Sequence, residues 1–117
     1  MKKIEAIIRR DLYEQVKDAL NAVGVQFFSF WDVRGCGKAH DKKQYRGTEY
    51  DTSFIERRFL SIVVNEAFVD ITVKTILESA CTGEIGDGKI FISPIEETIR
   101  IRNGERGPEA IYLKEKE

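Results

Sequence analysis

The feature of this sequence that most restricts its fold is an apolar spacing that occurs twice, 57 residues apart. In each half, apolar residues fall at positions i, i+4, i+7, i+8 and i+11, which is the pattern of one face of an amphipathic helix. The two sets are Leu12, Val16, Ala19, Leu20 and Val23, followed by Val69, Val73, Ile76, Leu77 and Ala80. The chain therefore contains two similar predicted helices in corresponding places.

Each predicted helix lies between two segments rich in β-branched and aromatic residues, a composition typical of strands. These predicted strands are residues 2–10, 25–34, 57–64 and 89–95. The order strand–helix–strand thus occurs twice. It predicts an α+β fold of the ferredoxin-like type, a split βαβ (βαββαβ) arrangement with an antiparallel sheet and both helices on one face.

Polar residues and glycines mark the expected helix ends. Asp11 is predicted to cap the first helix, and Glu14 lies three residues later, where a capping box places its second acceptor. Gly24 is predicted to end that helix, since glycine readily adopts the left-handed conformation found there. In the second half, Asn65 is the predicted cap and Gly83 follows the helix.

The bulk composition restricts the possible partners. The chain has 117 residues, which fits a single domain over 1–117, and 19 basic against 20 acidic residues give a formal net charge of -1. That balance gives no electrostatic reason to expect nucleic acid as a partner, and no apolar stretch predicts insertion into a membrane. Because the two cysteines, Cys36 and Cys81, are too few for a disulfide framework or a zinc site, we expect reduced thiols in a cytoplasmic protein.

Two segments exceed what the predicted fold needs. Residues 35–56 join the second and third strands, where a hairpin needs only about two to five residues, so this segment is expected to be a functional loop. Residues 96–107 follow the last strand, and a charged tail occupies 108–117.

A glycine-rich loop, residues 82–89, is the most informative local stretch. Its glycines would let successive backbone N–H groups surround an anion, and Lys89 adds a positive charge. The spacing from Gly83 to Lys89 matches the first part of a P-loop, but Ile90 occupies the place of the magnesium-binding hydroxyl and the order helix–loop–strand is reversed. The sequence thus leaves two interpretations, a phosphate-binding loop or a helix end followed by a tight turn.

Other candidate phosphate contacts lie outside this loop. Arg100 and Arg102 alternate along IRIRN, and an extended run would place both guanidinium groups on one face, although a solvated strand face is the alternative. Gly35 and Gly37, with Lys38, open the long segment and would allow close approach to a ligand, or simply give the loop a flexible base.

Enzyme chemistry and RNA binding receive little support. The only histidine, His40, lies in a charged loop without a partner for a catalytic triad, and no metal site is predicted. Aromatic residues on strands can stack on RNA bases, but no RNP1-like run is present. We therefore expect the strand aromatics to lie in the core or in a subunit interface; they are Phe27, Phe28, Phe30, Trp31, Phe59 and Phe91.

Three stretches give the sequence a resemblance to a known family: YRGTEY at 45–50, TGEIGDGKIFISPIEETIRIRNGERG at 82–107, and GCGK at 35–38. Over nearly its whole length the chain resembles the PII signal-transduction proteins. That resemblance implies a non-enzymatic regulator, a homotrimer with nucleotide sites between subunits. Residues 35–56 would be the T-loop that docks on partners, 82–89 the B-loop and 96–107 the C-loop.

The resemblance also implies roles for individual residues. ATP or ADP, with Mg²⁺ possible beside ATP, would be bound by a set consisting of Gly35, Gly37, Lys38, Val63, Thr82, Gly86, Asp87, Gly88, Lys89, Arg100 and Arg102. Tyr45, Arg46 and Tyr50 in the T-loop would contact a partner such as an ammonium transporter or a nitrogen-metabolism enzyme, and Tyr50 is a candidate for modification.

The base of the T-loop departs from the family pattern at the expected 2-oxoglutarate site. Ala39 replaces a glutamine whose oxygen completes the magnesium and 2-oxoglutarate site, and Arg57 replaces a lysine that contacts 2-oxoglutarate. Arginine can also pair with a carboxylate. Two hypotheses follow: a sensor of nucleotide and 2-oxoglutarate, or a PII-like sensor of altered small-molecule specificity.

Overall fold

A computed structural model describes residues 1–36, 43–45, 48–50 and 54–111, and for 43–45, 48–50, 54 and 55 the description is confined to the backbone. Two α-helices and six strands are present in this part of the chain. They are, in order, β1 (Lys2–Arg9), α1 (Tyr13–Ala22), β2 (Ser29–Cys36), β3 (Lys43–Tyr45), β4 (Thr48–Tyr50), β5 (Phe54–Val64), α2 (Glu66–Ala80) and β6 (Ile90–Pro94). Short 3-10 helices cover Arg10–Leu12 and Pro108–Ala110.

The four long strands form one antiparallel sheet in the order β2-β5-β1-β6. The register places Ile4 opposite both Ile62 and Ile92, so the first strand of each half lies at the centre. Four antiparallel strands with two helices confirm the predicted ferredoxin-like α+β fold.

The core lies between the helices and one face of the sheet. Alternate residues of β1, Ile4, Ala6 and Ile8, are 0–2% exposed, because successive strand side chains point to opposite faces. Leu20 of α1 and Ile76 of α2 pack against them. Most members of the repeated apolar spacing therefore form the helix–sheet contact, as predicted. Leu77, which is 56% exposed, does not, and on α2 the polar residues Thr72, Thr75 and Ser79 are buried as well.

The opposite face of the sheet carries aromatic groups that no helix covers. Trp31 stacks on Phe59 with ring centroids 4.6 Å apart, yet Trp31 remains 46% exposed. Phe91, on β6, is 49% exposed, and Phe27, which precedes β2 and lies outside the sheet, is 63% exposed. Phe30, whose ring lies 4.6 Å from that of Tyr13, is 47% exposed. The prediction of a place in the core is therefore wrong for these four side chains; the alternative, a subunit interface, stays a prediction.

Two helix ends differ from the sequence prediction. Asp11 lies inside a 3-10 turn and α1 begins only at Tyr13, so the predicted capping box with Glu14 does not form. Asn65 does hold the N-cap position of α2, but its side chain makes no cap; instead its Nδ2 donates to the Pro108 carbonyl at 3.1 Å. The bond to Pro108 thus orients the side chain, and Oδ1, the atom that would cap the helix, has no hydrogen-bond partner among the described residues.

The second strand also begins and ends later than predicted. Val25 is buried and its N–H donates to the Leu20 carbonyl at 2.9 Å, so it closes α1 and does not join the sheet. β2 consequently begins at Ser29 and continues to Cys36. Within the segment predicted to be one long loop, β3 and β4 pair in antiparallel fashion, with Tyr45 opposite Thr48.

Among the described residues, no helix has the length and apolar character needed to cross a membrane.

Candidate functional site

The glycine-rich loop, residues 82–89, lies between α2 and β6 and packs directly on β1. Gly86 and Gly88 have φ values of 101° and 95°, which side chains of L-residues rarely tolerate. A Cβ on Gly88 would lie 1.7 Å from the Ile7 carbonyl oxygen, and the Ile7 N–H donates to the Lys89 carbonyl at 2.9 Å. Glycine is therefore required here by a close backbone contact as well as by conformation.

Asp87 organises the loop from within. One carboxylate oxygen accepts from the backbone N–H groups of Thr82 and Gly83 at 2.8 and 2.9 Å. The other accepts from the Thr82 hydroxyl and from Arg9 Nε, the latter at 3.0 Å. The hydroxyl of Thr82, followed by Arg9 and the two N–H groups, holds the pKa of Asp87 far below its usual range against an opposing effect of burial. Asp87, predicted as a phosphate contact, thus uses both oxygens to hold the loop.

Two arginines fix the outer turn of the loop. Arg9 Nη2 donates to the Ile85 carbonyl at 3.2 Å, and Arg57 Nε donates to the Gly86 carbonyl at 3.0 Å. Burial, and then the nearby Arg9, lower the pKa of Arg57. Sequence patterns did not single out Arg9, because its place beside Arg57 follows from the pairing of Arg9 with Arg57 across β1 and β5.

The prediction that Arg100 and Arg102 lie on one face of an extended run is wrong. Residues 101–103 form a turn, with the Gly104 N–H donating to the Arg100 carbonyl at 2.8 Å, so IRIRN is not extended. The Arg100 side chain is 13% exposed, and its guanidinium donates to Glu105 Oε2 at 2.6 Å and to the Glu109 carbonyl at 2.9 Å. Arg102 is exposed. A tight turn closed by Glu105 therefore separates two side chains that an extended strand would align.

The remaining candidates do not all gather at the glycine loop. Gly35 is paired with Ile55 at the end of the sheet that carries Arg57. Val63 lies six residues beyond Arg57 on β5, which places it roughly 20 Å away at a strand's rise per residue. Gly37, Lys38, Ala39, Arg46 and His40 lie outside the described residues, as do the side chains of Tyr45 and Tyr50.

Two cavities adjoin these groups. One, of about 410 Å³, lies beside the glycine loop between α2 and β6, and Gly88, Lys89 and Leu77 contribute to its wall. The other, of about 330 Å³, is lined by Val63, Phe27 and mainly apolar neighbours. Within the described ranges, no cluster of three or more His, Cys, Asp or Glu residues could hold a metal ion.

Comparison with known proteins decides the family. The sequence pattern of the family described as "Nitrogen regulatory protein P-II" matches residues 1–105. The chain belongs to the P-II family of nitrogen regulatory proteins. The Nitrogen regulatory protein P-II of Nostoc punctiforme is 47% identical over 112 residues, which cover 95% of this chain and 100% of that protein. Nitrogen regulatory protein P-II 2 of Methanothermobacter thermautotrophicus is 46% identical, with 95% and 97% covered.

A solved P-II structure agrees with the fold. The crystal structure of Arabidopsis thaliana PII bound to citrate aligns with a TM-score of 0.78 at 37% identity and covers 99% of this chain and 94% of that one. The resemblance inferred from YRGTEY and the glycine loop is confirmed. P-II proteins are regulators, so the prediction that the chain is a signalling protein and not an enzyme is confirmed by its family.

Proposed function

We propose that this P-II protein is a homotrimeric sensor that binds ATP or ADP at the glycine loop and transmits the bound state to nitrogen-metabolism partners through residues 35–56. The observation that carries the proposal is the construction of the glycine loop. It is held by Asp87 from within, packed on β1 without room for a Cβ at Gly88, and ends in Lys89. A loop held in this way can receive phosphate oxygens without further ordering, which lowers the entropic cost of binding.

The separation of the predicted nucleotide contacts supports a site shared between subunits. Val63 lies six residues, roughly 20 Å, beyond Arg57 on β5, and it lines a different cavity from Gly88 and Lys89, so one chain does not bring them into one pocket. The exposed Trp31–Phe59 stack lies on the uncovered face of the sheet. A second copy packed on this face would bury the aromatic rings, and apolar burial of that kind drives association. Arg102, which is exposed, would then be available to a neighbouring site.

ATP and ADP would compete for the same site and favour different states of residues 35–56, since a ligand shifts an equilibrium only through its different affinity for the two states. Mg²⁺ would accompany ATP through its phosphates, in keeping with the absence of a carboxylate cluster among the described residues. We place this activity in the cytoplasm, where two free thiols, Cys36 and Cys81, would persist.

One observation favours the alternative, a P-II sensor of altered small-molecule specificity. Arg57, the candidate 2-oxoglutarate contact, already donates from Nε to the Gly86 carbonyl and from Nη1 to the Glu56 carbonyl at 2.9 Å. Ala39 offers no side-chain oxygen for a metal. Both features would weaken 2-oxoglutarate binding.

The partner, an ammonium transporter or a nitrogen-metabolism enzyme or regulator, would contact Tyr45, Arg46 and Tyr50. We also propose that Tyr50 is a site of modification.

Calorimetry with ATP, ADP and AMP, each with and without Mg²⁺ and 2-oxoglutarate, tests these proposals. Absence of adenine-nucleotide binding would reject the nucleotide sensor, and affinity unaffected by 2-oxoglutarate would support the alternative. Arg102→Ala is expected to weaken ADP binding by about 1.5–3 kcal/mol, the range of a charge-assisted hydrogen bond. Lys74→Ala, which removes an exposed cation from α2, is the matched control and is expected to bind as the wild type does. The molar mass of the protein in solution, measured by light scattering, tests whether it is a trimer.

A further inference from the structure

The two arginines beside the glycine loop contact only its carbonyl side and its internal carboxylate. Arg9 donates to the Ile85 carbonyl and to Asp87, and Arg57 donates to the Gly86 carbonyl. Both guanidinium groups lie against Gly86, where an added Cβ would come within 3.0 Å of Arg57 Nη2 and 3.5 Å of Arg9 Nη2. The loop therefore presents one defined side to β1 and β5.

The planarity of the peptide bond determines what the other side presents. In a trans peptide the N–H points opposite to the C=O of the same unit. When the carbonyls of Ile85 and Gly86 point toward the arginines, the N–H groups of Gly86 and Asp87 must point away from them. No acceptor among the described residues takes a hydrogen bond from either N–H. Two adjacent donors are thus held outward, which is the arrangement that binds an anion.

Arg9 also changes the charge of the loop. Residues 82–89 contain the carboxylates of Glu84 and Asp87 against the single ammonium of Lys89. The salt bridge from Arg9 to Asp87, at 3.0 Å with both side chains about one quarter exposed or less, compensates a negative charge that would repel phosphate. The side chain of Arg9 therefore both compensates the charge of Asp87 and orients the peptide unit between Ile85 and Gly86.

We infer that Arg9 and Arg57 are positioning residues of the glycine loop, which hold the Ile85 and Gly86 carbonyls on one side so that the N–H groups of Gly86 and Asp87 face a phosphate-bearing ligand. This inference rests on the proposed function, since it names residues that shape its site. The inference explains why Arg57 donates to the Gly86 carbonyl. It also assigns a role to Arg9, a residue that no sequence pattern had indicated.

The test uses Arg9→Met and Arg57→Met, which keep an apolar stem and remove every donor. Arg10→Met is the matched control, because Arg10 is adjacent and cationic but pairs with Glu56 at 2.7 Å and makes no hydrogen bond or ion pair with residues 82–89. In the ligand-free proteins, NMR order parameters of the Gly86 and Asp87 amides report whether the turn is held; rigid backbone gives about 0.85 and flexible backbone less than about 0.6. We expect order parameters typical of rigid backbone for the wild type and R10M, and order parameters typical of flexible backbone for R9M and R57M.

Binding of ADP and of inorganic pyrophosphate, at one ionic strength, gives the functional result. R9M and R57M are each expected to bind about tenfold more weakly, and R57K to recover part of the loss because lysine can donate to one carbonyl. Wild-type amide order in R9M and R57M, or an equal loss of affinity in R10M, would overturn the inference. If the wild type binds neither ADP nor pyrophosphate, the proposed function fails, while the amide order of the ligand-free variants still decides whether the arginines position the loop.

Discussion

Replacing Gly88 with alanine tests how tightly the glycine loop is packed against β1. The new Cβ would lie 1.7 Å from the Ile7 carbonyl oxygen and 2.8 Å from its carbonyl carbon, and both are backbone atoms that cannot rotate away. Because non-bonded heavy atoms pack at roughly 3.5 Å, the loop and β1 would have to separate by roughly 1.5 Å or more.

The expected cost has two parts. Alanine at a φ of 95° is strained by about 1–3 kcal/mol whatever space surrounds it. Separation of the loop from β1 would also break the hydrogen bond from the Ile7 N–H to the Lys89 carbonyl, worth about 1 kcal/mol. We therefore expect Gly88→Ala to lower the free energy of unfolding by about 2–4 kcal/mol.

Gly83→Ala separates conformational strain from the backbone clash. Gly83 also has a positive φ, 82°, but nothing lies within 4 Å of its added Cβ, so only the strain of about 1–3 kcal/mol applies. Urea denaturation at one protein concentration gives both values, since the stability of an oligomer depends on concentration. Equal losses in the two variants would refute the argument that backbone contact with Ile7 requires glycine.

Two further predictions concern single side chains. Asp87→Asn should lower the free energy of unfolding at neutral pH, and the difference from wild type should become smaller in acid. Because the folded pKa of Asp87 is depressed, its contribution to stability is complete above about pH 4, declines as the pH falls below that value, and is lost entirely once the pH has fallen through the folded pKa. Asn65→Ala should change the free energy of unfolding by less than about 1 kcal/mol, because the lost bond to Pro108 is offset by removal of the buried, unbonded Oδ1.

Urea midpoints measured between pH 2 and pH 7, a range chosen to span roughly the ordinary carboxylate pKa values, test the first of these predictions. A difference between wild type and D87N that stays constant over this range would contradict it. For Asn65, a loss of about 2 kcal/mol would instead match a functioning helix cap and contradict the geometry of its side chain.

The sequence by itself determined the fold class and the place of the phosphate-binding candidate. The apolar spacing from Leu12 and its repeat from Val69 specify one buried face per helix, and that local property is enough to predict two helices on one side of a sheet. The glycines of residues 82–89 were informative for a similar reason: a positive φ is a preference of the residue itself.

Only the tertiary structure decided which groups these elements contact. Asn65 was predicted as a cap but donates to Pro108, and Arg100 was predicted to face a ligand but pairs with Glu105. The role of Arg9 depends on the register that sets it beside Arg57, under the carbonyls of the glycine loop. Backbone preferences act over a few residues and can be inferred from sequence, whereas a side chain's partner depends on strands and loops brought together from distant parts of the chain.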